Sequence, residues 1–263
     1  MTKAQPKDQA GPSKDFSSVE TIPGGSSVVL VCEHASRFIP AEFGTLGLDD
    51  AARQSHVAWD PGALAVAERM ATLLDATLVA GKVSRLIYDC NRPPHAPDAM
   101  PEHSEVFDIS GNADLSTADR ERRVEAIYAP FKESLQHAVA GVKAPVIVTI
   151  HSFTPVYNGA RRSVEIGILH DTDGRLADAM LTLAPKYTQA NTQRNQPYGP
   201  ENGVTHTLKE HAIPAGHLNV MLEIRNDLIE SQSQQSDIAT QLAAWVAEAC
   251  AVAGAEGLVQ CKA

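Results

Sequence analysis

The chain alternates short apolar runs with longer stretches in which apolar residues recur every three or four positions. Ser27-Val28-Val29-Leu30-Val31-Cys32 is the first run, uninterrupted and rich in valine, and it predicts a strand buried on both faces. Further extended segments are expected over 76–80, 85–90, 145–150, 163–169 and 220–224. Between them lie helical patterns. Asp60-Pro61 opens one, since Asp can cap a helix and Pro suits its first turn, with Leu64, Ala67, Met70, Ala71 and Leu74 as its apolar stripe. A second covers about 117–140, with Val124, Ile127, Phe131, Leu135 and Val139 on one face; 176–183 and 236–252 supply two more. Residues 95–114 hold Pro, Gly, Asp and Ser with little periodicity and predict a long loop, a feature often functional in compact domains.

Strands alternating with helices define an α/β class: a three-layer sandwich around a mixed, largely parallel central sheet. Ligands in such folds bind beyond the carboxyl ends of the strands. The polar residues gather there. Glu33-His34-Ala35-Ser36 follows the first strand, Asp89-Cys90-Asn91-Arg92 and His151-Ser152-Phe153 end two others, and Glu223 lies inside Met221-Leu222-Glu223-Ile224.

Composition narrows the function. With 263 residues the chain suits one catalytic domain over 26–263, preceded by a polar stretch over 1–25 expected to be a flexible tail. A formal charge of −10 argues against nucleic acid or an anionic membrane as partner, and 5% aromatic residues argue against a base-stacking surface. A small carboxylate-bearing substrate in a locally basic pocket stays compatible. Cys32, Cys90, Cys250 and Cys261 show no metal-ribbon spacing, and Cys32 and Cys90 read as buried thiols. The amino terminus lacks the apolar core of a signal peptide and no run is expected to span a bilayer, so the cytoplasm is the expected location. Gly-x-Ser-x-Gly, Walker and Rossmann glycine patterns are missing, which weakens serine hydrolase, nucleotide hydrolase and dinucleotide enzyme readings.

His34 and His151, each near a strand end, are the natural pair of zinc ligands, and a catalytic zinc usually takes a third protein ligand and leaves a place for water. Asp60 is favoured for that place, His56 is the alternate and Glu33 trails; Asp60 could instead cap its helix, and His56 could orient a ligand. Glu223, a carboxylate between Leu222 and Ile224, needs a partner or a task and reads as a general base. Asn91-Arg92, restrained by Pro93-Pro94, has the fork geometry of a carboxylate clamp, and Arg85 could stabilise an oxyanion. Asp89 is expected to orient one of these arginines.

These pieces, taken in order from about Val28 to Val246, resemble the N-formylglutamate amidohydrolase family. The matching segments are Val31-Cys32-Glu33-His34-Ala35-Ser36, His56-Val57-Ala58-Trp59-Asp60-Pro61-Gly62-Ala63, Ser84 to Pro93, His151-Ser152-Phe153-Thr154-Pro155, Asn195-Gln196-Pro197-Tyr198 and Leu222-Glu223-Ile224-Arg225. The resemblance implies a fold similar to zinc carboxypeptidases and deacylases and a single zinc ion on His34 and His151. It further implies Glu223 as base, Asn91 with Arg92 as substrate clamp, and Ser152 and Tyr198 as pocket-lining residues. The implied reaction is hydrolysis of a formyl or acyl amide on an acidic amino acid. Two departures mark a divergent branch: the Cys-Glu-His-Ala-Ser start, and a His before Trp59 with an acid after it. The rival readings are a metal-dependent deacylase or peptidase for another carboxylate-bearing substrate, and a metabolite-binding protein without catalysis.

Overall fold

In the computed structural model, which describes residues 16–255 and 257–262, the apolar runs assemble into one seven-stranded sheet. Its strands are β1 (Val19–Ile22), β2 (Val28–Cys32), β3 (Thr77–Gly81), β4 (Val146–Phe153), β5 (Ile166–Leu169), β6 (Thr192–Arg194) and β7 (Leu218–Arg225). Across the sheet they stand in the order β1-β3-β2-β4-β7-β5-β6. β2, β3, β4 and β7 run parallel, while β1, β5 and β6 run the other way. The mixed, mostly parallel α/β fold expected from the alternation is therefore present. The carboxyl ends of β2, β4 and β7 share one edge.

Every residue of β4 and β7 is buried, so each strand needs cover on both faces. The helices are α1 (Asp50–Gln54), α2 (Ala63–Leu74), α3 (Thr117–Arg123), α4 (Ala129–Ala140), α5 (Arg175–Tyr187), α6 (His206–His211) and α7 (Gln232–Cys250). Side chains alternate across the sheet. Leu30, Val148, Ile150, Leu222 and Ile224 enter a core with α2, α5 and α7. Val29, Val31, Ile147 and Met221 enter a second core with α4, α6 and the segment carrying Leu86, Ile87 and Tyr88.

Several expectations are corrected. Residues 85–90 form turns rather than a strand: Ser84 Oγ takes the N–H of Leu86 and donates to the carbonyl of Ala58, and Asp89 N bonds Ala99 O. The apolar run is buried under the second face instead of joining the sheet. Residues 16–25 of the expected tail are ordered enough to include β1, which pairs with β3; residues 1–15 lie outside the described residues. The long loop contains a short hairpin of two two-residue strands, His103–Ser104 with Phe107–Asp108. Helix α7 with its extension to Ala255 has a window of mean hydropathy 1.4 and is long and apolar enough, by composition alone, to cross a bilayer, contrary to the sequence expectation. One side of it is engaged within the fold, while Val252 in the extension is exposed. Leu242, Trp245, Val246 and Ala249 are buried, the helix packs on α2 and α5, and Trp245 Nε1 donates to Met180 O at 2.8 Å.

Candidate metal centre

β2 ends at Cys32, and the two residues that follow, Glu33 and His34, are buried at the carboxyl edge of the sheet. β4 runs further than expected, so His151 lies inside the strand, directly beside Glu223 of β7. Both belong to the side-chain row of Ile147 and Met221, away from α2, α5 and α7. Gly167 of β5 stands opposite Glu223; a Cβ there would lie 2.0 Å from Gln196 O and 3.1 Å from the Glu223 Cβ, so glycine lets the 196 backbone pass close beside this strand.

Asp60 does not cap α2, whose N-cap is Gly62. Its N–H donates to His34 O at 2.9 Å, and Gly62, at φ +81°, then turns the chain into the helix. A side chain at Gly62 would meet Ile229 O at 2.7 Å. The Asp-Pro signal thus serves the site, while the left-handed glycine starts the helix.

The three side chains converge. Asp60 Oδ2 lies 3.3 Å from His34 Nδ1 and 2.9 Å from His151 Nδ1. The other nitrogen of each ring faces its own carboxylate: His34 Nε2 is 2.6 Å from Asp89 Oδ1, and His151 Nε2 is 3.1 Å from Glu33 Oε2. Carboxylates at both Nε2 atoms favour the Nε2–H tautomers, which turn both Nδ1 lone pairs toward Asp60. Two lone pairs and an anionic oxygen gathered in a buried space repel one another unless a cation or protons stand among them. His34, Asp60 and His151 offer ligand atoms within 4.8 Å of one another, and two imidazoles with one carboxylate are a donor set that suits a catalytic metal ion. The residues fit the group.

His56, the alternate ligand, stands elsewhere: its Nε2 is 2.8 Å from Glu105 Oε1. Asp60 Oδ1 receives Arg85 Nη1 at 3.3 Å, and Arg85 Nη2 reaches Asp89 Oδ2 at 3.0 Å. Arg85 therefore ties Asp60 to the partner of His34, and Asp89 orients both an arginine and a histidine. Ser152 holds the same turn, with N–H to Asp60 Oδ2 at 3.3 Å and Oγ to Pro61 O at 2.8 Å.

Burial would push the Asp60 and Asp89 carboxyls up, but His34 and Arg85 overcome it and hold both below the usual carboxylate range. Burial also opposes charge on His151, yet Glu33 and Asp60 lift its pKa well above the ordinary histidine value. Glu223 behaves differently. Burial dominates, His151 opposes it and Asp60 adds to it, and the result is pushed up to about 7. Among the described residues Glu223 Oε2 has no hydrogen-bond partner, although it is buried.

These residues line one side of a cavity of about 590 Å³ that also touches Asn91, Arg92, Ser152, Tyr198 and the 103–105 hairpin. Asn91 and Arg92 line it while making internal bonds. The Asn91 amide donates to Val204 O and accepts from Thr207 N, and Arg92 binds Asp98, Asn91 O, Gly203 O and, at 3.4 Å, Asn202 O. Tyr198 accepts a hydrogen bond from Arg162 Nη2 at 2.9 Å. Cys32 points to the α2 core, not to the cavity, and burial raises its thiol pKa, in keeping with the buried thiol read from sequence. Thr207, which donates to Glu33 Oε1, carried no sequence signal.

Fold and site together define an α/β protein built around a buried His–Asp–His group at the carboxyl edge of its sheet. The family model for N-formylglutamate amidohydrolase matches residues 26–230. The chain belongs to the N-formylglutamate amidohydrolase family, and its reaction class is amide hydrolysis. A gene product of Agrobacterium tumefaciens of solved structure is 52% identical over 90% of this chain and 96% of its own, with a TM-score of 0.86. The N-formylglutamate amidohydrolase of Ralstonia eutropha JMP134, 20% identical over 88% of this chain and 98% of its own, has a TM-score of 0.64 and shares the fold. No curated protein matches the chain significantly.

Proposed function

We propose that this protein is a zinc-dependent amidohydrolase that cleaves an N-formyl or N-acyl amide of an acidic amino acid. One observation carries the reading: His34 and His151 present Nδ1 to a shared Asp60 oxygen, each backed by its own carboxylate, beside a buried Glu223 with an unpaired oxygen. His34, Asp60 and His151 would hold a single zinc ion, which when bound supplies Lewis acidity and lowers the pKa of a water molecule.

The protein's own groups do the rest. Glu223 Oε2 accepts the proton of the attacking water and returns it to the leaving amine nitrogen; a carboxylate pKa near 7 suits both transfers. Arg85, 28% exposed and fixed by Asp60 and Asp89, offers positive charge to the oxygen that becomes anionic during attack. Among the described residues, Arg85 and Arg92 are the arginine and lysine side chains that line the cavity, which supports a carboxylate on the substrate. Arg92 with Asn91 forms a wall of that pocket, where Arg92 lends positive charge toward the substrate carboxylate while both side chains stay bonded within the protein, and Tyr198 and Ser152 shape the pocket.

The test is metal analysis joined to hydrolysis of N-formyl-L-glutamate and a panel of N-acyl amino acids, before and after chelation. One zinc per chain and chelator-sensitive hydrolysis are expected. Glu223→Gln should lower turnover by roughly 100-fold or more with zinc retained. Activity that survives complete metal removal would sink the mechanism, and bound zinc without hydrolysis of any substrate would favour a binding protein.

A further inference from the structure

Among the described residues, His151 Nε2 and Glu33 Oε2 are buried atoms with no aligned hydrogen bond of their own, and they lie 3.1 Å apart. Each is therefore the group available to the other. Glu33 itself is held at its second oxygen, where the Thr207 hydroxyl of α6 donates to Oε1. The Thr207 backbone N–H in turn donates to Asn91 Oδ1 at 3.0 Å, and the Asn91 backbone N–H donates to Asp89 Oδ1 at 2.9 Å. That same Asp89 oxygen is the partner of His34 Nε2. A continuous chain of contacts thus leads from one ligand histidine to the other without passing through the ligand atoms: His151, Glu33, Thr207, Asn91, Asp89, His34.

From this juxtaposition we infer that Thr207 is a positioning residue for the metal centre, fixing Glu33 so that His151 presents Nδ1 beside Asp60. The inference rests on the zinc reading above. All six groups are buried, so the Thr207 hydroxyl has no water to replace it once removed. Residues that orient a ligand histidine from behind typically change metal affinity by about 10- to 100-fold when lost. Thr207 acts at one remove further, which puts its effect at the lower end of that range. Glu33 and Asn91 would then have duties distinct from the direct binding of metal and substrate that the sequence suggests for them.

The experiment measures zinc dissociation constants by chelator competition for the wild type, Thr207→Val and Thr207→Ser, with melting curves of the zinc-free proteins alongside. Thr207→Val keeps the shape and removes the hydroxyl, and should weaken zinc about tenfold. Thr207→Ser restores the donor to Glu33 and should return the affinity to within about twofold of wild type, whatever its effect on melting. A cobalt-substituted sample provides a second readout, because its visible spectrum reports ligand geometry without turnover. Thr207→Val with wild-type zinc affinity and an unchanged cobalt spectrum would overturn the inference. So would a loss of affinity that Thr207→Ser fails to restore. A wild-type protein that binds no zinc would instead defeat the proposed function, which separates the two failures.

Discussion

Leu222 and Ile224 enter the core formed with α2, α5 and α7, while Glu223 between them faces the opposite side, beside His151 and near Asp60. The two faces of one strand thus meet different surroundings. On the first, side chains of helices cover the sheet with apolar groups, and Trp245 is buried among them. On the second, turns and the short helix α6 bring Asp60, Arg85, Asp89 and Thr207 over the carboxyl edge, where Asp60, Asp89 and Glu33 each have an opposite charge or a donor near them and Glu223 keeps one oxygen unpartnered among the described residues. An apolar face needs volume and little else. The charged face needs partners from segments far apart in sequence, so it is the face on which single substitutions propagate.

Breaking the charged face at its centre should have the largest effect. Asp60→Ala removes the oxygen shared by both Nδ1 atoms and leaves Arg85 Nη1 and Ser152 N without their acceptor. Zinc affinity should fall more than about 100-fold, beyond the cost of losing an outer partner, and hydrolysis should fall with it. Dialysis against a zinc buffer followed by metal analysis checks this; a variant that keeps stoichiometric zinc at wild-type affinity refutes the ligand set. The matching change on the apolar face is Leu222→Ala, one residue away. Leu222 is fully buried, so truncation should cost about 2–5 kcal/mol of folding free energy, read by chemical denaturation. Zinc stoichiometry in the folded fraction should stay at wild type. If Leu222→Ala releases zinc from folded protein, the two faces are not separable.

This contrast also explains what could be read from sequence. Strands β2, β4 and β7 were legible because an uninterrupted apolar run has few other places to go, and His34, His151 and Glu223 were legible as polar residues inside or ending such runs. The run 85–90 holds Leu86, Ile87, Tyr88 and Cys90 yet folds as turns over the second face, since a short apolar segment signals burial and not geometry. Asp60 was ambiguous because Asp-Pro is also a helix-start signal; Gly62, in a left-handed conformation, decides the matter. Asn91-Arg92 looks free to bind a ligand until the 202–207 segment is folded against it, a tertiary fact without a local trace. Thr207 had no signal, for a threonine beside His206 reads like any polar helix residue.

His56 sharpens the comparison from the other side, with the smallest expected effect. It lines the same cavity and is a histidine four residues before Asp60, which made it the competing third ligand. Its side chain is 30% exposed and binds Glu105, itself on the 103–108 hairpin at φ +51°, so it joins the cavity rim to that hairpin. A partly exposed pair of this kind contributes up to about 1 kcal/mol. His56→Ala should therefore leave zinc affinity within about twofold of wild type, the range of a change away from the ligands. Hairpin mobility should rise, seen as faster amide hydrogen exchange over residues 103–108. A tenfold or greater loss of zinc in this variant would return His56 to the ligand set and dislodge Asp60. An unchanged affinity with a loosened hairpin would confine the metal to the charged face of β4 and β7, and would assign His56 to the entrance.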